Sequence, residues 1–464
     1  MAKKPTVENT NFNVNEAKIE QIDVEAFLDK YMKLYSAHSN VRGLPFIGDG
    51  FKDAQRKAMW GMLKRGVDAK KISVERVSSL CAAETDYHHG VGSMQGTIVG
   101  LAQDFAGSNN LNLLVPDGQF GSRRSHGASA ARYIETMIHQ NFRMIFRKED
   151  DTILEQRCVG ELKIEPKYFI PLLPMTLING AEGMGTGHST HIFSYSPKVV
   201  RENIIKVLSG HTLTDHVMVP TWKDFIGKVT KDRETGQVTV TGDYKLENTT
   251  TLRVTELPVG VSCDAYEAVL NKLEDQERDA PIKSWKNASD NTGFDFIVTI
   301  PRTTSYLDRA ELIKIFKLTS RDTENFTMWG TDGLIKKYRS AEHVLTEFVE
   351  WRLLRYEERR QKLMSDTQHQ IDWLIELMRF ITFYLNSVQL FKNTGKAELI
   401  KLLEDAKFTD VDKLLSQQIW SLTKDRISDL EQKLETEREK LSKLQSSTPV
   451  EMYKKELGEM KLDF

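Results

Sequence analysis

The stretch from Tyr87 to Tyr133 concentrates residues whose chemistry depends on their neighbours. Near its end, G-A-S-A-A-R-Y-I sets Arg132 immediately before Tyr133. A free phenol titrates at about pH 10 and is a poor nucleophile at neutrality. A guanidinium beside it favours the phenolate and offers a fork for a phosphate. Covalent catalysis needs such an activated nucleophile. A phenolate is also a good leaving group, so a phosphotyrosine link made here could be reversed without an energy source. The small residues Gly127, Ala128, Ala130 and Ala131 leave room for a bulky polymer. An ordinary Arg-Tyr step on a helix surface has the same two residues, and the pair alone does not decide between the readings.

Y-H-H-G supplies His88 and His89. Adjacent in an extended segment, they face opposite ways and cannot chelate one metal. His89, just before a helix, has the chemistry of a general base or a phosphate donor, although a lone histidine is as readily structural. Net charge is −2, from Lys+Arg 64 against Asp+Glu 66, which argues mildly against a nucleic-acid binder. Local distribution says more. Lys52, Arg56, Lys57, Lys64, Arg65, Lys70 and Lys71 oppose only Asp53 and Asp68; Arg123, Arg124, Arg132, Arg143, Arg147 and Lys148 oppose only Asp117 and Glu135. Solvated helix faces would show the same islands. There is no HExxH, P-loop or CxxC, and the D-x-D at Asp410 and Asp412 reads as a cap or a solvated face.

The elements that must position these groups follow from periodicity. Residues 1–22 are polar and aperiodic and read as a flexible arm. Phe27, Leu28, Tyr31 and Leu34 mark a helix before the Gly-rich R-G-L-P-F-I-G-D-G. Three short helices follow: from Asp53, an expected N-cap, to Gly66; from near Ser73; and from near Ser93. The first carries Met59, Met62 and Leu63 on one face and Arg56, Trp60 and Lys64 on a cationic one. From Leu111 to Gly187 the chain reads as strands and hairpins. The pattern predicts a winged-helix unit at 23–195 with its helix-turn-helix, then a mixed α/β unit at 196–335. In that unit E-T-G centres a hairpin, and strands end at Pro258 and Pro301. From 336 to 464, Gly- and Pro-free runs break at Gly395, and Ile427, Leu430, Leu434, Leu441 and Leu444 form a coiled-coil seam with Glu437 as its polar member. An antiparallel pair with a helical knob between about 390 and 425 is expected.

At 464 residues, about three domains are expected. Hydrophobic residues at 40% exclude a disordered chain, and no run suits a transmembrane span or signal peptide. Three well-separated cysteines, Cys81, Cys158 and Cys263, fit a reducing cytoplasm.

Six ordered motifs carry a resemblance: D-G-F-K-D-A-Q-R-K, Y-H-H-G, T-I-V-G-L-A-Q-D-F-A-G-S-N-N, D-G-Q-F-G-S-R, A-A-R-Y-I and L-P-M-T-L-I-N-G-A-E-G-M-G-T-G-H-S-T. Together they resemble the DNA breakage–reunion region of type IIA DNA topoisomerases, the A-type protein of gyrase with its relatives, and especially the eukaryotic form. The short separate chain looks like the medium subunit of a phage enzyme of this type. The resemblance implies that Tyr133 is the nucleophile of a 5′-phosphotyrosyl bond and that Arg132 steadies the pentavalent phosphate. His89 and Arg56 match phosphate-contacting and acid–base groups, an electrostatic role at a transferring phosphoryl group. Lys57 is implied as a DNA backbone contact, and Lys52, Lys64, His88, Arg123 and Arg124 as further DNA-binding residues. Met184 stands where the family has an Ile that wedges between base pairs. Val91 stands where the eukaryotic form has an acid.

The resemblance further implies double-stranded DNA as a partner, a homodimer joined through a C-terminal gate, and an α/β tower bracing the duplex. Mg²⁺ and ATP are expected on separate subunits carrying the TOPRIM and ATPase modules, in a cytoplasm that would be the host's if the gene is a phage's. The expected function is the DNA-cleaving subunit of an ATP-dependent type II topoisomerase that relaxes and decatenates DNA. A non-catalytic DNA-bending architectural protein would use the same basic surface and wedge.

Overall fold

The computed structural model describes residues 22–276, 280–290, 293–418 and 424–462. The expected N-terminal arm lies outside them but for Ile22. The described residues are mixed α and β, with three separate hydrophobic cores and one small satellite among them.

The first core is built around three helices, α1 (Asp53–Lys64), α2 (Val74–Glu84) and α3 (Val91–Ala102). Ala58, Met59 and Met62 of α1, Val74 and Val77 of α2 and Met94 and Ile98 of α3 are fully buried against one another. The N-cap of α1 is Lys52 rather than Asp53, with the Lys52 N–H donating to Gln55 Oε1 at 2.9 Å. Gly66, at φ +63°, ends that segment as expected. Leu111–Arg123 forms no strand. It is an irregular loop held to the core by isolated bridges, Leu114 to Ile138 and Asp117 to Glu135. True strands come in short antiparallel pairs: β1 (Ile72–Ser73) with β2 (Glu135–Thr136), β3 (Gln156–Val159) with β4 (Leu162–Pro166), and β5 (Ala181–Gly185) with β6 (His188–Ile192).

This core draws on all three of the expected segments. It takes in Val200 and Ile204 of the helix Pro197–Leu208, then residues from Phe326 to Tyr356, and finally Tyr453, Leu457 and Met460 near the C-terminus. Hydrophobic periodicity marks which elements exist, not which core receives their apolar face.

The E-T-G hairpin forms as expected, between β7 (Lys228–Lys231) and β8 (Gln237–Thr241). The second core belongs to a four-stranded antiparallel sheet. Its strands are β9 (Asp243–Asn248), β10 (Thr251–Glu256), β11 (Ser284–Asn287) and β12 (Phe296–Thr299), in the order β11-β12-β10-β9.

The third core lies along α4, a 46-residue helix spanning Ala341–Asn386. At 1.5 Å per residue it is about 69 Å long. It pairs with α5 (Lys424–Ser446), and the direction is antiparallel: Arg360 Nη1 reaches the Leu444 carbonyl at 3.3 Å, while Ile371 and Leu374 share a core with Leu430 and Leu434. Leu430 and Leu434 of the expected seam are buried, Ile427, Leu441 and Leu444 half-buried. Leu403, Phe408 and Leu414 cap this core beyond Phe380. Phe27, Leu28, Tyr31 and Leu34, by contrast, are all exposed, so the amphipathic pattern at 24–35 marks a face uncovered in the single chain.

Candidate DNA-cleavage site

Tyr133 sits in a turn rather than on a helix, with its N–H donating to the Ala130 carbonyl at 2.9 Å. The turn is clamped onto the N-terminus of α2. Val74 N–H donates to the Ile134 carbonyl at 3.0 Å, and Glu75 N–H to the Ala131 carbonyl at 3.1 Å. Two N–H groups that a helix start leaves unpaired thus grip the residues on either side of Arg132 and Tyr133. Ile134 anchors the turn in the core at 1% exposure while Tyr133 is 74% exposed. Gln103 Nε2 holds the preceding loop through the carbonyls of Phe120 and His126, at 2.8 and 3.1 Å. The Arg132 guanidinium lies 5.3 Å from the centre of the Tyr133 ring. Among the described residues the Tyr133 hydroxyl has no hydrogen-bond partner. A rigid base therefore presents an accessible phenol beside a cation.

A second group of candidates lines a groove of about 650 Å³. His89 and Lys52 are on its wall, with Met184 at its rim. Met184 is 83% exposed on β5, opposite Ser189. Its hairpin is seated closely on the helix Lys33–Gly43: a Cβ on Gly43 would overlap the Met184 carbonyl oxygen, and one on Gly183 would overlap the Gly43 carbonyl oxygen. Lys52 Nζ donates to the Glu182 carbonyl of the same hairpin. Burial holds the Lys52 ammonium below the usual lysine range, opposed by the Glu182 charge. Burial also lowers the His89 imidazole, with Arg42 and His38 adding repulsion.

Of the other expected contacts, the side chains of Arg56, Lys57 and Arg123 are engaged within the chain. Arg56, 6% exposed, closes on Asp49 with Nε–Oδ2 at 2.7 Å and Nη2–Oδ1 at 3.0 Å, and also donates to the Phe51 carbonyl. Lys57, 8% exposed, donates to Glu165 at 3.0 Å and to the Thr85 carbonyl at 2.8 Å. Of the expected cationic face of α1, Arg56 is buried in an ion pair, while Trp60 is half-buried and Lys64 stays exposed. Lys64 pairs with Glu84 at 2.7 Å and His88 with Asp86 at 3.1 Å. Arg123 donates to the carbonyls of Leu257, Pro258 and Val261 at 2.7 to 2.9 Å and ties the tyrosine loop to the segment after β10. Arg124 accepts at its carbonyl from Cys263 N–H. Among the described residues, no hydrogen bond or ring contact joins Tyr133 to His89 or Arg56.

The groove also contains residues that the sequence motifs do not single out: His38 and Arg42. Both lie on the helix Lys33–Gly43, four positions apart and so on one face. That i, i+4 spacing of a histidine and an arginine was the available signal.

The family model for the A-type proteins of DNA gyrase and topoisomerase IV matches residues 42–461. The chain belongs to this family of type IIA breakage–reunion proteins. DNA topoisomerase 2 of Arabidopsis thaliana is 34% identical over 390 residues, covering 82% of this chain and 26% of its own length. The mitochondrial DNA topoisomerase 2 of Dictyostelium discoideum is 32% identical over 460 residues, 96% of this chain and 35% of its own. The chain thus spans about a quarter to a third of the length of these relatives. Among solved structures, the Plasmodium falciparum topoisomerase II DNA-binding, cleavage and re-ligation domain superposes with a TM-score of 0.86 at 32% identity, covering 93% of this chain and 63% of that one. The matched span takes in the Tyr133 turn, the long helical pair and the groove residues from Arg42 onward, while His38 lies before it.

Proposed function

We propose that this chain is the DNA-cleaving subunit of an ATP-dependent type II topoisomerase. The observation that carries the reading is Tyr133 itself: exposed, without a hydroxyl partner among the described residues, beside Arg132, on a turn clamped to α2. The Tyr133 oxygen, having given up its proton, attacks a backbone phosphorus. The P–O3′ bond breaks, the 3′ oxygen leaves as a hydroxyl after taking up a proton, and the 5′ phosphate stays on the tyrosine. Arg132 stabilises the charge on the pentavalent phosphorus. Attack by the 3′ hydroxyl reverses the step, with the phenolate leaving. His89, Lys52 and Met184 hold and bend the duplex at the groove. Arg56 acts indirectly, fixing the loop through Asp49.

Two copies, joined through the capped end of the α4–α5 pair, would open one duplex and pass another, relaxing and decatenating DNA. The helices α1 to α3 serve as a winged-helix unit and the four-stranded sheet as a tower. Among the described residues, no group of three or more His, Cys, Asp or Glu side chains converges where a cation could sit. The steps above use this chain's own side chains, and we assign Mg²⁺ and ATP to separate subunits in the same cytoplasm. Among the described residues no helix is long and apolar enough to cross a membrane. The test is denaturant trapping of the reconstituted complex on supercoiled DNA. A covalent protein–DNA adduct that is lost in Tyr133→Phe supports the reading; an adduct that persists assigns the nucleophile elsewhere.

A further inference from the structure

The ring centroids of His38 and His89 lie 5.5 Å apart, tilted at 44°. They come from different elements: His38 from the helix Lys33–Gly43 and His89 from the segment before α3. Arg42 and Lys52 share the groove with them, and Met184 stands at its rim. We propose that the His38–His89 pair, flanked by Arg42 and Lys52, clamps a DNA phosphodiester beside Met184 and takes up protons as it does so. This deepens the DNA-cleavage reading and rests on it.

The argument is one of charge. Two imidazoles, the Arg42 guanidinium and the Lys52 amine converge on one groove, so without a counter-anion a proton added to His89 is disfavoured by burial and opposed by Arg42 and His38. The groups facing His89 are His38, Arg42 and Tyr35 from the N-terminal helix, Lys52 and Asp53 at the start of α1, and Tyr87 and His88 on its own segment. Asp53 is the acid among them, and it is engaged by Arg157 at 3.1 Å. Tyr87 packs edge-on to His89 at 5.5 Å and donates its hydroxyl to Ser93, so it offers no competing charge. Glu182 faces Lys52 from the wedge hairpin. The free protein thus leaves His89 below the ordinary imidazole range, mostly neutral at physiological pH. An incoming phosphodiester reverses the sign of the local field and favours the imidazolium, which then donates from both ring nitrogens. More protons are bound in the complex than in its parts, so DNA affinity rises as pH falls across the histidine range.

The test uses the intact chain and a linear duplex. Binding is followed by calorimetry in two buffers of different ionisation heat, so that proton uptake is read directly, and by titration between about pH 5.5 and 8. The wild type is expected to take up protons on binding. In His38→Asn the uptake should fall and the affinity should change less with pH. In His38→Arg the affinity should match or exceed wild type at the alkaline end, again with reduced uptake. Loss of one phosphate contact in His38→Asn at low pH should also flatten the slope of log affinity against log salt by about 0.9. His38 is exposed, so neither variant should disturb folding. Binding without proton uptake, or uptake unchanged in both variants, overturns the clamp while leaving the cleavage reading intact. No binding by the wild type at any pH overturns both.

Discussion

The Arg56 guanidinium lies flat against the Asp49 carboxylate, with two nitrogen–oxygen distances of 2.7 and 3.0 Å, both side chains out of solvent. The same carboxylate accepts from the Phe51 and Phe169 N–H groups, at 3.0 and 3.1 Å. The Asp49 pair raises the Arg56 guanidinium above its ordinary range in spite of burial, which acts the other way. One acid thus fixes the Gly-rich loop, the start of α1 and the chain after β4. Removing one partner of a buried pair leaves the other charge stranded. Asp49→Ala should therefore cost about 3–5 kcal/mol of folding stability, read from denaturant unfolding. DNA cleavage should fall with the folded fraction. A variant that unfolds like wild type but fails to cleave would instead place Arg56 at the phosphate.

Tyr133→Phe should behave in the opposite way. The hydroxyl has no partner to lose among the described residues, and the ring is exposed. Unfolding and DNA affinity should be within error of wild type, and the covalent adduct should be undetectable by denaturing gel. A destabilised Phe variant would show that the hydroxyl is structural.

The two cases show what the sequence made legible. The E-T-G hairpin and the long helices are local patterns, readable from neighbours along the chain. The fate of the basic residues was not. Lys57 meets Glu165 across 108 positions, and Arg123 meets carbonyls more than 130 positions away. Only the folded chain shows which lysines and arginines are already neutralised. The helix expected at 24–35 forms, but its apolar face stays exposed: amphipathicity reports that a face wants a partner, not that this chain supplies it.

The C-terminal helix Pro449–Glu459 is fastened to the first core by Glu456, which accepts from Arg359 and from the Tyr356 hydroxyl, and by Tyr453, which donates to the Leu172 carbonyl at 2.7 Å. Burial pushes the Glu456 carboxyl up, but its bonds from Arg359 and Tyr356 outweigh this and hold it below the usual range. A depressed carboxyl contributes stability above its unfolded value, about pH 4.3, and loses it as pH falls through the folded value. Glu456→Gln should lower the unfolding midpoint at neutral pH, and the two midpoints should converge in acid. A constant gap across that window would mean that Glu456 does not titrate with unfolding.

Met184 should govern DNA deformation rather than phosphate chemistry. It is an apolar side chain held almost fully in solvent, on a hairpin whose backbone touches Gly43. An apolar wedge can enter an opened base step, at a cost of a few kcal/mol of unstacking repaid by contacts to the bent duplex. Met is flexible and holds such a step less rigidly than a β-branched residue. Met184→Ala should reduce bending measured by fluorescence transfer and reduce cleavage of intact duplex, while a duplex already nicked at the site is cleaved almost normally because its deformation costs less. Gly43→Ala gives an independent handle, since its new Cβ would overlap the Met184 carbonyl oxygen and the hairpin must move. It should reproduce the Met184→Ala pattern with the methionine still present. If both variants cleave intact and nicked duplex equally poorly, the hairpin supports the reaction centre instead. If bending is unchanged in both, Met184 is not a wedge.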